Sequence, residues 1–200
     1  MKEKQIALFD FDGTITHKDS TQEFYKFVYK GSFWFEYYVK NIYFLILIKL
    51  NLKSYNQLKL KRLKRIIDYL GSDNFKKKAV EFQKIILPGI LKKDAMDKIH
   101  EFKEKEIEVV IVSASMNILL DEFCNNLGLK MITNVLELND KIYSGNFILE
   151  KDCNFEEKVN RVCIAYPDIE NMYVFAFGDT QGDIAMLKFA DESFYRVFKK

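Results

Sequence analysis

The chain changes its hydrophobic spacing twice, and the changes outline its organisation. Residues 4–12, KQIALFDFD, run apolar through Ile6–Phe9 and stop at two aspartates and Gly13, the pattern of a buried strand. From about Asp19 to Leu87 the spacing becomes helical. DSTQEFYKFVY (19–29) starts with small polar capping residues and sets Phe24, Phe27 and Val28 on one face. SFWFEYYVKNIYFLILIKL (32–50) continues with aromatic residues throughout. SYNQLKLKRLKRIIDYL (54–70) opens with Ser54 and Gln57 at capping-box spacing, and its apolar positions, among them Leu58, Leu63, Ile66 and Ile67, recur at helical intervals. SDNFKKKAVEFQKIIL (72–87) predicts a fourth helix, closed by the hinge-like Pro88-Gly89.

Beyond the hinge, helix and strand alternate. KKDAMDKIHEFKEK (92–105) reads as a helix, EVVIVSAS (108–115) as a strand and NILLDEFCNNLGL (117–129) as a helix. MITNVLEL (131–138) and KIYSGNFILE (141–150) read as strands joined by a hairpin turn at Asn139-Asp140. A helix over FEEKVNRVCIAY (155–166), a strand over MYVFAFGD (172–179), a short helix over DIAMLKFA (183–190) and a strand over SFYRVF (193–198) complete the pattern. Such alternation implies an α/β fold with a Rossmann-like parallel sheet flanked by helices. Residues 1–16 and 88–200 are expected to form this core. Residues 17–87 are expected to be an all-helical cap inserted after the first strand, at the sheet edge where open α/β folds place ligands.

Composition narrows the function classes. With 48% hydrophobic residues the 200-residue chain has ample core material, which excludes global disorder. A net charge of +2 does not point to nucleic acid as a partner. Cys124, Cys153 and Cys163 show no C-x-x-C spacing and are odd in number, which favours a reduced, cytoplasmic setting. The stretch MKEKQIALFDFD lacks the apolar core of a signal peptide, and the longest apolar run, Ile42–Ile48, is far short of the roughly 20 residues of a membrane span.

Asp10 and Asp12 then need an explanation, because two carboxylates at the end of a buried strand repel each other and lose hydration unless a cation lies between them. Three later segments place polar residues at comparable boundaries. Ser113 stands where the strand VVIVSAS stops, Lys158 lies near a helix start, and Gly178-Asp179 ends a strand with Asp183 four residues further on.

The set "DFDGT", Ser113, Lys158 and "GDTQGD", in this order, resembles the haloacid dehalogenase superfamily, in the subclass that includes phosphoserine phosphatases. The resemblance implies a phosphatase in which Asp10 is the nucleophile and forms an aspartyl-phosphate. It implies Mg²⁺ held by the Asp10 carboxylate, the Asp12 backbone carbonyl and the Asp179 carboxylate, with Asp183 supporting the site from behind. Lys158 and Ser113 are expected to bind the phosphoryl oxygens, and Asp12 to serve as general acid and base. A domain of this fold that only binds a phosphorylated ligand is the alternative of another class.

The substrate is less defined. Phosphoserine phosphatases grip the amino acid with an acidic residue soon after the first motif and a lid arginine. Asp19 suits the first position, but Arg62 and Arg65 lie in a broad basic run that singles out neither. Aromatic and aliphatic residues over Phe33–Ile48, followed by Lys49, Lys53, Lys59, Lys61, Arg62, Lys64 and Arg65, suit a helical lid on an anionic membrane surface. They also suit a lipid or other apolar phosphate ester as substrate. His17 and His100 are expected to have no catalytic part.

Overall fold

The computed structural model describes residues 4–199. Its centre is a five-stranded parallel sheet in the order β3-β2-β1-β6-β7, made of β1 (Lys4–Phe9), β2 (Glu108–Met116), β3 (Lys130–Asn134), β6 (Met172–Gly178) and β7 (Glu192–Tyr195). Helices cover both faces, so the inner strands are apolar on both sides rather than alternating. On one face Ala7, Phe9, Ile111 and Phe177 pack with Ile99 and Phe102 of α6 (Lys93–Glu104). On the other, Ile6, Leu8, Val110 and Val174 pack with Val162 of α8 (Glu156–Ala165) and Met186 of α9 (Ile184–Phe189). The stacking of Phe9 on Phe177, at 4.2 Å between ring centroids, ties β1 to β6. Burying each such ring contributes roughly 1.5–3 kcal/mol.

Between β1 and α6 lie five helices: α1 (Ser20–Tyr29), α2 (Phe33–Tyr37), α3 (Ile42–Lys49), α4 (Tyr55–Leu70) and α5 (Ser72–Ile85). The expected capping box starts α4, with Gln57 N donating to Ser54 Oγ at 3.2 Å and Ser54 N donating to Gln57 Oε1 at 3.1 Å. The aromatic run 32–50 is not one helix. The buried Asn41 side chain donates to the carbonyls of Glu36 and Tyr37, at 3.2 and 3.0 Å, and the chain turns there between α2 and α3.

Several contacts pin these helices to the core. Gln83 of α5 accepts from the backbone N–H groups of Glu122 and Phe123, in the first turn of α7 (Asp121–Leu127), and donates to the Ile118 carbonyl. The hairpin of β4 (Leu136–Asn139) and β5 (Ile142–Phe147) lies on α4. Its Gly145, with φ of +83°, sits so close that a Cβ there would meet the Lys64 backbone at 3.1 Å. The run expected as one strand over 131–138 is thus divided: residues through Asn134 join the parallel sheet, and those from Leu136 form the hairpin. The hairpin turn falls one residue later than expected, on Asp140 and Lys141, both at positive φ.

Candidate active site

The sheet register gathers the polar residues. Phe9 pairs with Ile111 on one side and with Phe177 on the other, so Asp10, Ser113 and Asp179 emerge together at the carboxyl edge of three adjacent strands. That edge is where an open parallel sheet offers a ligand crevice.

Lys158 is the hub. The residue is only 1% exposed, yet all three ammonium protons find acceptors: Asp10 Oδ1 at 2.6 Å, Asp183 Oδ1 at 2.7 Å and the Val112 carbonyl at 2.7 Å. The two carboxylates outweigh desolvation and hold the lysine above its ordinary pKa, so it stays charged. Asp10 is pushed up to about 6, chiefly by burial, with Lys158 opposing and the charges of Asp183 and Asp179 adding to the rise. Asp183 is lowered in spite of its burial by Lys158 and by hydrogen bonds to its other oxygen. That oxygen, Oδ2, accepts from Asp179 N at 3.1 Å, Thr180 N at 2.8 Å and Thr180 Oγ1 at 2.8 Å, which fixes the turn carrying Asp179.

Asp179 Oδ1 accepts from Thr14 Oγ1 at 3.2 Å. Gly13, at φ +90°, lets the β1 loop pass close to it; a Cβ at that position would lie within 2.8 Å of three Asp179 side-chain atoms. Asp10, Asp179 and Asp183 each bring a carboxylate oxygen within 4.8 Å of the others. Both oxygens of Asp183 are engaged, whereas Asp10 Oδ2 and Asp179 Oδ2 take no protein hydrogen bond among the described residues. Two carboxylates with a free oxygen each, on an oxygen-only donor set, fit a hard divalent cation such as Mg²⁺.

Asp12 faces away from this cluster, toward the start of α1. Its Oδ1 accepts from Ser20 N at 2.7 Å, and its Oδ2 accepts from the Ser115 hydroxyl. Burial, helped by the charge of Asp19, raises Asp12 to about 7 against these hydrogen bonds. Ser113 is buried and lines the same pocket, with its Oγ accepting from Ser115 N at 3.0 Å. The structure therefore brings all six expected residues, Asp10, Asp12, Ser113, Lys158, Asp179 and Asp183, to one strand edge.

Above the centre a cavity of about 230 Å³ is closed by the inserted helices. Its upper wall holds residues the sequence did not single out. Lys59 of α4 crosses to the core, donating to Asp152 at 2.7 Å and to the Ala114 carbonyl at 2.5 Å. Arg62, one turn on, is buried, lies 3.7 Å over the Tyr37 ring and donates through Nη2 to the Tyr37 carbonyl at 3.0 Å. Its Nε is buried with no hydrogen-bond partner. Arg65 turns elsewhere, toward the Glu36 carbonyl and Asn41. Asp19 lines the cavity and also caps α1, accepting from Gln22 N at 2.6 Å. His17 and His100 are exposed and lie outside this cavity.

Residues 7–188 match the family described as haloacid dehalogenase-like hydrolase. The curated protein CicA of Caulobacter vibrioides is 29% identical, over 98% of this chain and 88% of its own length. Among solved structures, a protein of unknown function from Bordetella pertussis Tohama I superposes with a TM-score of 0.81 at 17% identity, over 95% of this chain and 88% of that one. A substrate-bound phosphoserine phosphatase complex superposes with a TM-score of 0.63 at 21% identity, over 98% and 87% of the two chains.

Proposed function

The chain belongs to the haloacid dehalogenase-like hydrolases, and from that membership we propose that it is a Mg²⁺-dependent phosphomonoesterase acting through a phosphorylated Asp10. The observation that carries the reading is the Lys158 hub, which binds one oxygen of Asp10 and leaves the other without a protein hydrogen bond. At neutral pH Asp10, with a pKa of about 6, is ionised and can attack. Its oxygen bonds to phosphorus as the bond to the leaving oxygen breaks. Asp12, near 7, is still substantially protonated and donates to that oxygen. Then, as a carboxylate, it takes a proton from the water that cleaves the aspartyl-phosphate. Lys158 and the Ser113 hydroxyl answer the charge on the phosphoryl oxygens. The Asp10 and Asp179 carboxylates and the Asp12 carbonyl would hold the Mg²⁺, which when bound supplies positive charge that eases the approach of a carboxylate to a phosphate dianion.

For the leaving group we favour a small polar molecule bearing a second anionic group, such as a carboxylate. Arg62 supports this, because its buried, unpartnered Nε belongs to a guanidinium in the cavity wall opposite the aspartates. An acidic residue, Asp19, lines the same cavity, and the pairing suits an amino acid such as phosphoserine. A second reading, a phosphate carried on a lipid, draws on the apolar exterior of α2 and α3 rather than on the cavity.

Hydrolysis of p-nitrophenyl phosphate tests the class. The wild type should require Mg²⁺ and stop on chelation. Asp10→Asn, nearly isosteric, should lose about 10³-fold or more. No turnover by the wild type with any divalent metal would instead favour a domain that only binds. A screen of phosphoserine, small phospho-acids and phosphatidylglycerophosphate separates the substrate readings.

A further inference from the structure

We propose that the outer face of α2 and α3 is a docking surface for an anionic phospholipid bilayer. The first observation is an inversion of burial. None of the eight residues of α3, IYFLILIK, is buried, and Trp34, Phe35, Ile42, Tyr43, Ile46 and Leu50 are each more than half exposed. They crowd into 17 consecutive positions, 34–50. Exposed apolar residues scattered singly need no explanation, but a contiguous group of this size marks a contact surface.

The second observation is the charge around the group. Residues 30–53 contain four lysines, Lys30, Lys40, Lys49 and Lys53, all exposed, and a single acidic residue, Glu36. Glu36 is already answered by Lys40 at 2.6 Å. Exposed lysines interspersed with and flanking an exposed apolar segment complement anionic headgroups, since their stems can lie along apolar surface with the ammonium groups at headgroup level. Tryptophan and tyrosine prefer that same interfacial layer. A second copy of this chain fits poorly, since two such faces would oppose lysine to lysine. No helix among the described residues is long and apolar enough to cross a membrane, so the contact lies on the surface.

The placement also has a geometric consequence. The side of α2 opposite the exposed Phe35 carries Tyr37, which lines the cavity. Docking therefore puts the cavity wall about one helix diameter, ~10 Å, from the lipid headgroups. The surface is argued without reference to catalysis, so it stands or falls separately from the phosphatase reading.

Trp34 is the sole tryptophan of the chain and is 69% exposed, so intrinsic fluorescence reads the contact directly. The full chain would be titrated with vesicles of phosphatidylcholine alone and of phosphatidylcholine with phosphatidylglycerol, at low and high salt. The expected result is a blue shift, protection from acrylamide and co-sedimentation with the anionic vesicles at low salt, all reduced by salt. Ile42→Asn with Ile46→Asn should weaken partitioning by about tenfold or more. The same variant should keep its circular dichroism and its p-nitrophenyl phosphate hydrolysis. An unshifted spectrum and no co-sedimentation at low salt would overturn the proposal, as would a double variant that binds as the wild type does. A lipid-free spectrum that is already blue and reddens on dilution would mean that a second copy covers this face, and would overturn it too.

Discussion

The aspartate–lysine centre and the α2–α3 arm invert the usual distribution of side chains in opposite ways. In the centre a lysine and two aspartates lie under the surface, with Lys158 and Asp183 each 1% exposed. In the arm a run of isoleucines, leucines and aromatics lies in solvent. Either arrangement costs stability, but the compensation differs. The buried charges are compensated within the molecule, since every proton of Lys158 is taken and Asp183 accepts four hydrogen bonds. The exposed hydrocarbon finds no compensation within the fold. The centre is therefore complete apart from what its free carboxylate oxygens will bind, while the arm requires something outside the chain.

Variants can break this contrast. The largest effect on stability is expected from Lys158→Met, which leaves Asp10 and Asp183 buried without their cation. Denaturant unfolding should show a loss of about 3–5 kcal/mol, relieved in part by adding Asp183→Asn. Asp12→Asn should lower kcat by about 10²–10⁴-fold on an alkyl phosphate and by less on p-nitrophenyl phosphate, whose leaving group needs little protonation. In the wild type, kcat/KM on the alkyl ester should fall above an apparent pKa of about 7, and this limb should be absent in the variant.

The same substitution should act on stability with the opposite sign. Because folding raises the Asp12 pKa from 3.8 to about 7, the native state holds a proton that the unfolded chain has released between those values. Wild-type stability from this group is thus full below the unfolded pKa and is lost as pH rises through the folded one. Asp12→Asn should be more stable than the wild type by roughly 1–4 kcal/mol at about pH 8, and not at about pH 3.

Smaller effects probe the upper wall and the arm. Arg62→Ala should raise KM for a substrate with a second anionic group by about 10–100-fold, as expected for losing a charged hydrogen-bond donor. It should change KM for p-nitrophenyl phosphate little. Ile46→Asn, at an exposed site, should alter unfolding free energy by no more than about 0.5 kcal/mol, against the several kcal/mol expected at the centre.

How much of this was legible in the sequence follows from how local each signal is. The parallel sheet was legible because apolar strands alternate with helices of clear period. Asp10, Ser113 and Asp179 stood out because each follows an apolar run, and Asp183 because it stands at the start of the next helix. Lys158 needed the resemblance, since nothing in a lysine-rich chain distinguishes one helical lysine from another. Arg62 and Lys59 were hidden for the same reason. Only the packing of α4, with Leu58 and Leu63 turned inward, shows that these two cations share the cavity side while Arg65 does not. Ser115 and Ser20 meet on Asp12 from positions 95 residues apart, a contact that no local pattern encodes. The break at Asn41 was masked by the largely apolar character of the run around it, because a side chain bonding back to carbonyls four and five residues earlier leaves no trace in hydrophobic periodicity.

The Lys59 bridge to Asp152 and the Ala114 carbonyl has a bearing on how reactants come and go. Together with the bonds from Gln83 of α5 to the start of α7 and the hairpin against Lys64, it fastens the roof along α4 and α5, so the roof does not lift as a rigid plate without surrendering all of these ties at once. Tyr37 of α2, buried, and Tyr55 at the exposed start of α4 complete the lining on the helical side. A reactant passes in or out by the yielding of single side chains along the wall, not by a swing of the whole helical layer.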